Sequence, residues 1–452
     1  MLVAFSVENY RSFQERVTLS MVAADLKSRP ETLDHTNVFP AHDDLHLLTS
    51  AAVYGANAGG KSNLVAAIRF MRSLVLNSSR ETRLREPVNV APFRLSSDTA
   101  DQPSFFEIVF IDQGEIYRYG FLVSQQRVEE EWLFATRTTR EGYLFERTPD
   151  NIKVNRRSFK EGLGLEERTR PNALFLSVAT QWNGKRAGQI AAWFEQLLVD
   201  AGIDDPIMQR RLERRYARRE LAPEIVAFVR NLDLGIDDIQ VERVPEREMS
   251  VRGPDGTPRL VITPDATRIL TVHTRYDSDG NPLADELFDL FSEESQGTRR
   301  LFVLAEPILT TLRQGSVLVI DEMDARLHPI LICQIIQLFN TPETNPNHAQ
   351  LIFTTHDTNL LGSQLFRRDQ IWFVEKSRRG ASTLSSLAEY RVRNDAAYEK
   401  NYIAGRYGAI PYLGDLGAAI GANTGEEEGE SKDEDSNLSS AFSGEVIWSE
   451  IR

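Results

Sequence analysis

Eight residues, Gly55-Ala-Asn-Ala-Gly-Gly-Lys-Ser62, constrain the fold more than any other stretch of the chain. They match the pattern G-x-x-x-x-G-K-[ST] at every fixed position. The apolar segment 47–54 before them predicts a short buried strand, and segment 63–76 after them has the helical spacing of apolar residues. A strand, a glycine-rich turn and a helix in this order predict a phosphate-binding loop.

The chemistry of such a loop assigns roles to its residues. Glycines let backbone N–H groups surround an anion, and the start of the following helix adds a partial positive charge. We expect Lys61 to reach the β- and γ-phosphates of a nucleotide and the Ser62 hydroxyl to hold Mg²⁺. A chance glycine-rich turn is the alternative, but it does not explain the strand and helix on either side. The candidate nucleotide-binding residues of the loop are Gly55, Asn57, Gly60, Lys61, Ser62 and Asn63.

The composition argues against several classes of protein. With 452 residues, the chain is long enough for two or three domains. Its one cysteine, Cys333, allows no internal disulfide, and its first residues lack a secretion signal, so we expect a cytoplasmic location. No stretch approaches the roughly 20 apolar residues that cross a membrane. The net charge of −14 argues against a protein that coats nucleic acid, but it is compatible with a local basic groove.

Strands are predicted on both sides of the loop. Residues 1–19 alternate in polarity and predict a hairpin whose strands join the nucleotide-binding sheet. Arg11 lies at the hairpin turn, where it reaches a bound phosphate or is simply exposed. Residues 23–44 are polar and irregular and predict a loop. From Phe105 to Glu146, alternating segments separated by short turns predict an antiparallel meander.

A mostly helical stretch is predicted over residues 187–232. Its arginines, from Arg210 to Arg219, recur in pairs every four residues and would share one face of a helix. That face suits DNA phosphates or an acidic partner, and a solvated face balanced by Glu213 and Glu220 is the alternative. Strands are predicted again at residues 239–243, 260–263 and 269–274.

Two carboxylates end a second buried strand, Ser316-Val-Leu-Val-Ile-Asp-Glu322. In phosphoryl transfer, a carboxylate at this place holds Mg²⁺, usually through water, and the next acidic residue orients the attacking water. Asp321 is therefore a candidate metal ligand, and Glu322 is a candidate catalytic residue. Downstream, residues 350–357 predict a strand that delivers His356 to its carboxyl end, where ligands bind in such sheets.

A turn upstream of the carboxylates completes the pattern. Residues 292–300 precede a predicted helix over 301–313, and their Ser295-Gln-Gly297 turn is a further anion site. The carboxylates are followed by Asp324-Ala-Arg-Leu-His-Pro329. The phosphate-binding loop, this turn, the carboxylate pair, the Asp-x-x-Leu-His-Pro segment and the late histidine together resemble, in order, the ABC-type ATPase heads of the SMC, RecF and OLD class.

This resemblance implies ATP as the nucleotide, although the residues alone do not distinguish ATP from GTP. It also implies heads that pair around ATP as a dimer. Ser295 and Gly297 would contact the γ-phosphate held by the other subunit, Asp324 would line the dimer seam, and His356 would sense the γ-phosphate. The turn departs from the transporter form Leu-Ser-Gly-Gly-Gln, because Gln296 stands between the serine and the glycine.

Both ends of the chain resemble one family with this core. Glu8-Asn-Tyr-Arg-Ser-Phe13 and Tyr402-Ile-Ala-Gly-Arg-Tyr-Gly-Ala-Ile-Pro411 look like blocks of RloA-like ATPases, which are often labelled AAA proteins. The resemblance runs over residues 1–414 and implies a bacterial protein with a separately encoded nuclease or toxin as its partner. We find no nuclease motif after His356 in this sequence. A RecF-like DNA-binding repair ATPase is the alternative.

The sequence therefore predicts an α/β fold, an ABC-type P-loop NTPase head with an antiparallel β-meander lobe and a helical insertion. The predicted domains are an N-terminal half of the head (1–180), the insertion (181–238), a C-terminal half (239–414) and an acidic, disordered tail (415–452). The predicted function is ATP hydrolysis with Mg²⁺ by a sensor or scaffold of an anti-phage or restriction-associated system. We expect a homodimer or higher homo-oligomer that controls its effector by ATP-dependent dimerisation, away from any membrane.

Overall fold

The computed structural model describes residues 1–80, 86–137, 140–200, 223–232, 235–244, 247–252, 258–263, 266–393 and 396–410. In these ranges the strands are β1 (Leu2–Glu8), β2 (Val17–Ser20), β3 (Val38–His42), β4 (Leu45–Leu48), β5 (Ser50–Tyr54), β6 (Ser104–Asp112), β7 (Glu115–Val123), β8 (Val128–Thr136), β9 (Glu141–Arg147), β10 (Ile152–Val154), β11 (Leu197–Asp200), β12 (Asp238–Val244), β13 (Arg247–Arg252), β14 (Pro258–Thr263), β15 (Ala266–Tyr276), β16 (Pro282–Asp289), β17 (Val317–Ile320), β18 (Gln350–Thr354), β19 (Ile371–Lys376) and β20 (Ser382–Ser386). The α-helices of the same ranges are α1 (Leu33–Thr36), α2 (Lys61–Asn77), α3 (Phe175–Gln181), α4 (Lys185–Gln196), α5 (Pro223–Arg230), α6 (Gln296–Gln314), α7 (Pro329–Asn340), α8 (Asn359–Gly362) and α9 (Tyr398–Ile403).

The chain divides into two compact units, each assembled from separate segments. The P-loop unit contains residues 2–48, 53–194 and the described residues from 366 onward. The carboxylate unit contains residue 1 and residues 49–52 and 195–365. The division falls inside β5, so this strand contributes its first half to one unit and its second half to the other.

The P-loop unit contains a seven-stranded antiparallel sheet with the order β10-β9-β8-β7-β6-β1-β2. The predicted meander over residues 105–146 and the predicted N-terminal hairpin are confirmed. The prediction that the hairpin joins the nucleotide-binding sheet is wrong, because β1 pairs with β6, with Phe5 opposite Ile108. Five of the seven residues of β1 are buried, and both of its edges are paired, so it lies inside the meander sheet.

The polar segment 23–44 of the P-loop unit is not only a loop, which corrects the sequence prediction. It contains α1 and β3, and β3 pairs with β4 as an antiparallel hairpin. Its polar groups find distant partners: Asn37 donates to the Gln370 side chain at 2.7 Å, and Arg367 forms ion pairs with Asp34 and Asp369. Since these partners lie more than 300 residues away, local polarity gave no sign of an ordered segment.

The carboxylate unit is built on parallel strands in the order β11-β17-β18, with the first half of β5 beside β18. All four residues of β17 are buried, as expected for a strand with parallel neighbours and both faces covered. The predicted single strand over 47–54 is two strands, because the strand is interrupted at Thr49. The Asn340 side chain there accepts hydrogen bonds from the hydroxyls of Thr49 and Ser50, at 2.7 and 2.8 Å.

The helical prediction over 187–232 is correct for α4 and α5 but missed β11 between them. Leu197, Leu198 and Val199 continue the apolar pattern of α4, yet they form a strand parallel to β17. Here pairing with a neighbouring strand overrides the local pattern. The arginines from Arg210 to Arg219 lie outside the described residues.

A second sheet of the carboxylate unit has the order β12-β15-β16. The predicted strands at 239–243, 260–263 and 269–274 are confirmed within β12, β14 and β15. Strand β16 was not predicted, because seven of its eight residues are exposed and three of the eight are acidic. Among the described helices, none has the length and apolar character of a membrane span.

Candidate functional site

The phosphate-binding loop connects β5 to α2, as the sequence predicts. Gly60 has φ of +126°, a conformation that side chains with a Cβ rarely adopt, and Ala58 also has a positive φ of 60°. The first turn of α2 closes on the Gly60 carbonyl, which accepts from the N–H groups of Asn63 and Leu64 at 3.0 and 3.1 Å. The helix therefore starts immediately after the glycine, two residues earlier than predicted.

Gly55 has a packing role that the motif alone did not indicate. A Cβ at this position would lie 2.4 Å from the Val374 carbonyl oxygen of β19. At Gly60, a Cβ would lie 2.6 Å from the Ser382 hydroxyl. Both positions therefore exclude a side chain, because the loop backbone packs closely against β19 and β20.

Lys61 is buried, with 5% of its surface exposed, although it carries a charge. Its Nζ donates to the carbonyl oxygens of Gly55 and Ala56, at 2.7 and 3.2 Å. The loop thus satisfies the ammonium group with its own backbone. Incoming phosphate oxygens offer the same group charged acceptors, which make stronger hydrogen bonds than carbonyls.

Arg11 lies beside the start of α2, near the loop. Its Nη1 donates to the Asn63 side chain at 3.4 Å, and its guanidinium lies 5.6 Å from the ring centre of Tyr10. Burial raises the pKa of Tyr10 although the Arg11 charge opposes this shift, so the phenol stays neutral. Asn57 and Ser62 are exposed, in the positions where the motif places them.

Two serines near the loop were missed by sequence reasoning. Ser12 accepts a hydrogen bond from the Asn63 side chain at 2.7 Å, and its carbonyl accepts from the Ser382 N–H at 2.6 Å. The Ser382 hydroxyl in turn donates to the Gly59 carbonyl at 2.6 Å. Because Gly59 and Ser382 are 323 residues apart, no sequence pattern connects them. These contacts fasten the N-terminal turn and β20 to the phosphate-binding loop.

Asp321 and Glu322 form a turn at the end of β17, in the carboxylate unit. Asp321 is buried, and its Oδ1 accepts from the Thr354 hydroxyl at 2.6 Å. That hydroxyl also accepts from the Glu322 N–H at 2.7 Å. Glu322 has a positive φ of 49° and is exposed. Thr354, which the sequence analysis did not single out, therefore holds both acidic residues of the turn.

Asp324 and His356 are neighbours in the same unit. The His356 N–H donates to Asp324 Oδ2 at 3.1 Å, two residues beyond the end of β18. Asp324 Oδ1 is buried and has no hydrogen-bond partner among the described residues. His356 is exposed, so a ligand can reach it, as its predicted role as a γ-phosphate sensor requires.

The start of α6 contacts the segment that follows the carboxylates. Ser295 caps the helix, because its hydroxyl accepts from the Thr298 N–H at 3.1 Å. The helix begins at Gln296 and not at residue 301, so Gly297 belongs to its first turn and not to a separate loop. A Cβ on Gly297 would lie 2.9 Å from the Arg326 carbonyl, so only glycine allows this approach.

The structure thus groups the predicted residues into two sets. One set, in the P-loop unit, has the loop residues and Arg11. The other set, in the carboxylate unit, has Ser295, Gly297, Asp321, Glu322, Asp324 and His356. Each set offers an oxygen group of the kind that Mg²⁺ prefers, the Ser62 hydroxyl in one and the Asp321 carboxylate in the other. The side-chain-free positions at Gly55 and Gly60 fit a nucleotide phosphate.

Comparison with known families gives one match. A family model described as "AAA domain, putative AbiEii toxin, Type IV TA system" matches residues 50–362, which is more than half of the chain. The matched range begins at β5 and ends after His356, so it contains both sets of candidate residues except Arg11. No curated protein matches the chain significantly.

Proposed function

The chain belongs to this AAA-domain family of P-loop ATPases, and on this premise we propose that it binds ATP and hydrolyses it to ADP and phosphate with Mg²⁺. One observation carries the proposal. In the loop between β5 and α2, Gly55 and Gly60 leave no room for a side chain, and the buried Lys61 beside them donates from its Nζ to two backbone carbonyls. Such a loop is suited to hold the phosphates of a nucleotide.

Each candidate residue has a role in this reaction. The loop N–H groups and Lys61 would bind the β- and γ-phosphates, and Ser62 and Asp321 would hold the metal ion. Bound Mg²⁺ neutralises charge on the transferring phosphate. Glu322 accepts a proton from the attacking water and orients it. The hydrogen bond from the Thr354 hydroxyl fixes the direction of the Asp321 carboxylate.

We further propose an ABC-type head that acts as a dimer. In that arrangement Ser295 and Gly297 contact the γ-phosphate held by the other subunit. Asp324 lines the seam, and His356 senses the γ-phosphate. The exposure of Ser295 and His356 supports these roles, because both side chains are accessible to a second molecule.

For the biological role, we propose a defence ATPase that controls a separately encoded nuclease or toxin. The family description, which names a toxin of a type IV toxin–antitoxin system, supports the defence context. The RloA-like blocks at residues 8–13 and 402–411 support a partner on another chain. ATP closes the dimer, and hydrolysis or a trigger opens it.

The substitution Glu322→Gln tests the activity. It removes the proton acceptor, so we expect turnover to fall by roughly 10²–10⁴-fold while ATP binding persists. We expect ATP to shift this variant from monomer to dimer in light scattering. The control is Glu343→Gln, which changes an exposed glutamate of the same unit and should leave turnover unchanged. Wild-type turnover in Glu322→Gln would mean that another residue activates water.

The same variant tests the biological role. Tagged Glu322→Gln protein is recovered from its native host with and without ATP, and the bound proteins are identified by mass spectrometry. A nuclease or toxin encoded nearby, retained only with ATP, is the expected result. Recombination or repair proteins in its place would contradict the effector proposal and favour a RecF-like function.

A further inference from the structure

A buried ion pair lies behind the carboxylate turn. Arg300 Nη1 is 2.7 Å from Asp200 Oδ2, and the two side chains are 1% and 6% exposed. Arg300 belongs to the second turn of α6, five residues after the Ser295 cap. Asp200 is the last residue of β11. The pair therefore connects the helix that begins at Ser295 with the edge strand of the parallel sheet.

Asp200 also contacts the carboxylate turn directly. Its carbonyl oxygen accepts from the Asp321 N–H at 3.0 Å, continuing the register in which Asp200 lies beside Ile320. On the other side of the turn, the Thr354 hydroxyl holds Asp321 and Glu322. Asp321 is thus held from both neighbouring strands, β11 and β18. Strand β11 ends at Asp200, which is the partner of Arg300.

The hydrogen-bond geometry of the pair is poor for an ion pair whose only role is to stabilise the fold. None of the three guanidinium nitrogens of Arg300 makes a well-aligned hydrogen bond to a described residue, despite the short distance to Asp200. Burying two charges costs free energy that only good geometry and further hydrogen bonds return. In other proteins, replacing a buried ion pair by apolar residues of similar size is often neutral or stabilising. A role in positioning explains why this site holds charges.

We propose that Arg300 and Asp200 are positioning residues that tie the start of α6 to the Asp321–Glu322 turn. Contact of Ser295 and Gly297 with a nucleotide on a second subunit then fixes the position of the carboxylates. Gly297 gives a second link, because its backbone approaches the Arg326 carbonyl in the segment after the turn. This inference rests on the proposed ATPase function and adds a route by which dimer contact controls hydrolysis.

The first test replaces both charges, as Asp200→Asn with Arg300→Met, so that no buried charge is left alone. We expect the double variant to fold, and its thermal unfolding checks this. Its kcat should fall on the order of ten-fold, while the ATP dissociation constant stays within about two-fold of wild type. Unchanged kcat would overturn the proposal. If the double variant does not fold, Arg300→Lys is tested, which retains the charge but not the planar guanidinium donors. It should likewise lower kcat and leave the ATP dissociation constant near that of the wild type.

The second test is a double-mutant cycle with Ser295→Ala. If the pair connects Ser295 to the carboxylates, this substitution lowers kcat in the wild-type protein but has little further effect in the double variant. If Ser295→Ala lowered kcat by the same factor in the wild-type protein and in the double variant, the Arg300–Asp200 pair would be only structural. Ser295→Ala removes a cap, so its unfolding transition is measured as well.

A third measurement separates this inference from the proposed function. Hydrogen exchange of the peptide around Asp321 and Glu322 is compared in the wild-type protein and the double variant. Faster exchange of that peptide, with the amides of β18 unchanged, is expected whether or not ATP is hydrolysed. A wild-type protein without ATPase activity would refute the proposed function, and unchanged exchange would refute the positioning role.

Discussion

The phosphate-binding loop and the carboxylate turn are built in opposite ways. The loop is one contiguous stretch of eight residues, and the acceptors of its lysine are carbonyls of the same stretch. The carboxylate turn is held by residues from two distant places in the chain, Asp200 and Thr354, and the segment after it contacts the start of α6. The charged group of the loop thus finds acceptors within its own stretch, whereas both acidic residues of the turn accept hydrogen bonds from other strands or donate them to other strands.

This difference leads to different expectations for substitution. In the loop, a change should act directly on nucleotide binding, because the altered group is the one that contacts phosphate. In the turn, changes at supporting residues should alter turnover and leave binding nearly intact. The predictions below test whether the two regions separate in this way.

The largest effect is expected for Lys61→Ala. Loss of charge-assisted hydrogen bonds to phosphate, about 1.5–3 kcal/mol each, should weaken ATP binding by about 100-fold or more. Isothermal titration calorimetry measures the affinity. Lys153→Ala is the control, since this lysine is 60% exposed and pairs only loosely with Glu146. Normal affinity in Lys61→Ala would contradict the assignment of the loop.

A smaller effect on binding is expected for Gly60→Ala. The backbone at φ of +126° strains any residue with a Cβ by about 1–3 kcal/mol, and the Ser382 hydroxyl occupies the space. We expect ATP affinity to fall by about ten-fold.

Gly114→Ala is the matched comparison, because Gly114 also has a positive φ, of 78°, but nothing lies within 4 Å of its Cβ position. This control should lose about 1–2 kcal/mol of stability and keep its ATP affinity. If both variants lost ATP affinity equally, the effect would be global and not local to the loop.

The smallest effect on ATP binding is expected for Thr354→Val, which removes one hydroxyl and keeps the shape of the side chain. The Glu322 N–H then lacks its acceptor, and Asp321 loses a donor, at a cost of about 1–3 kcal/mol. We expect kcat to fall by about ten-fold with ATP affinity unchanged. Thr383→Val, at an exposed position of β20, is the control. A loss of ATP affinity in Thr354→Val would mean that the turn is not separate from binding.

Much of the architecture was predictable where local pattern and tertiary environment agree. In β7, Tyr117, Tyr119, Phe121 and Val123 are buried on one face while Arg118 and Leu122 on the other are partly exposed, and α2 has buried residues at helical spacing. The predictions failed where distant partners decide the conformation. Segment 23–44 is ordered by partners near residue 370, and β11 is a strand because β17 offers it a parallel edge.

The sequence by itself determined the identity of the candidate residues in both regions. A glycine-rich loop and a strand ending in two carboxylates are local patterns, since adjacent residues supply the chemistry. Only the tertiary structure decided what supports them. Ser12, Ser382, Thr354, Asp200 and Arg300 act through hydrogen bonds and ion pairs between segments far apart in the chain. Such contacts depend on the folded path of the backbone, and no spacing in the sequence encodes them.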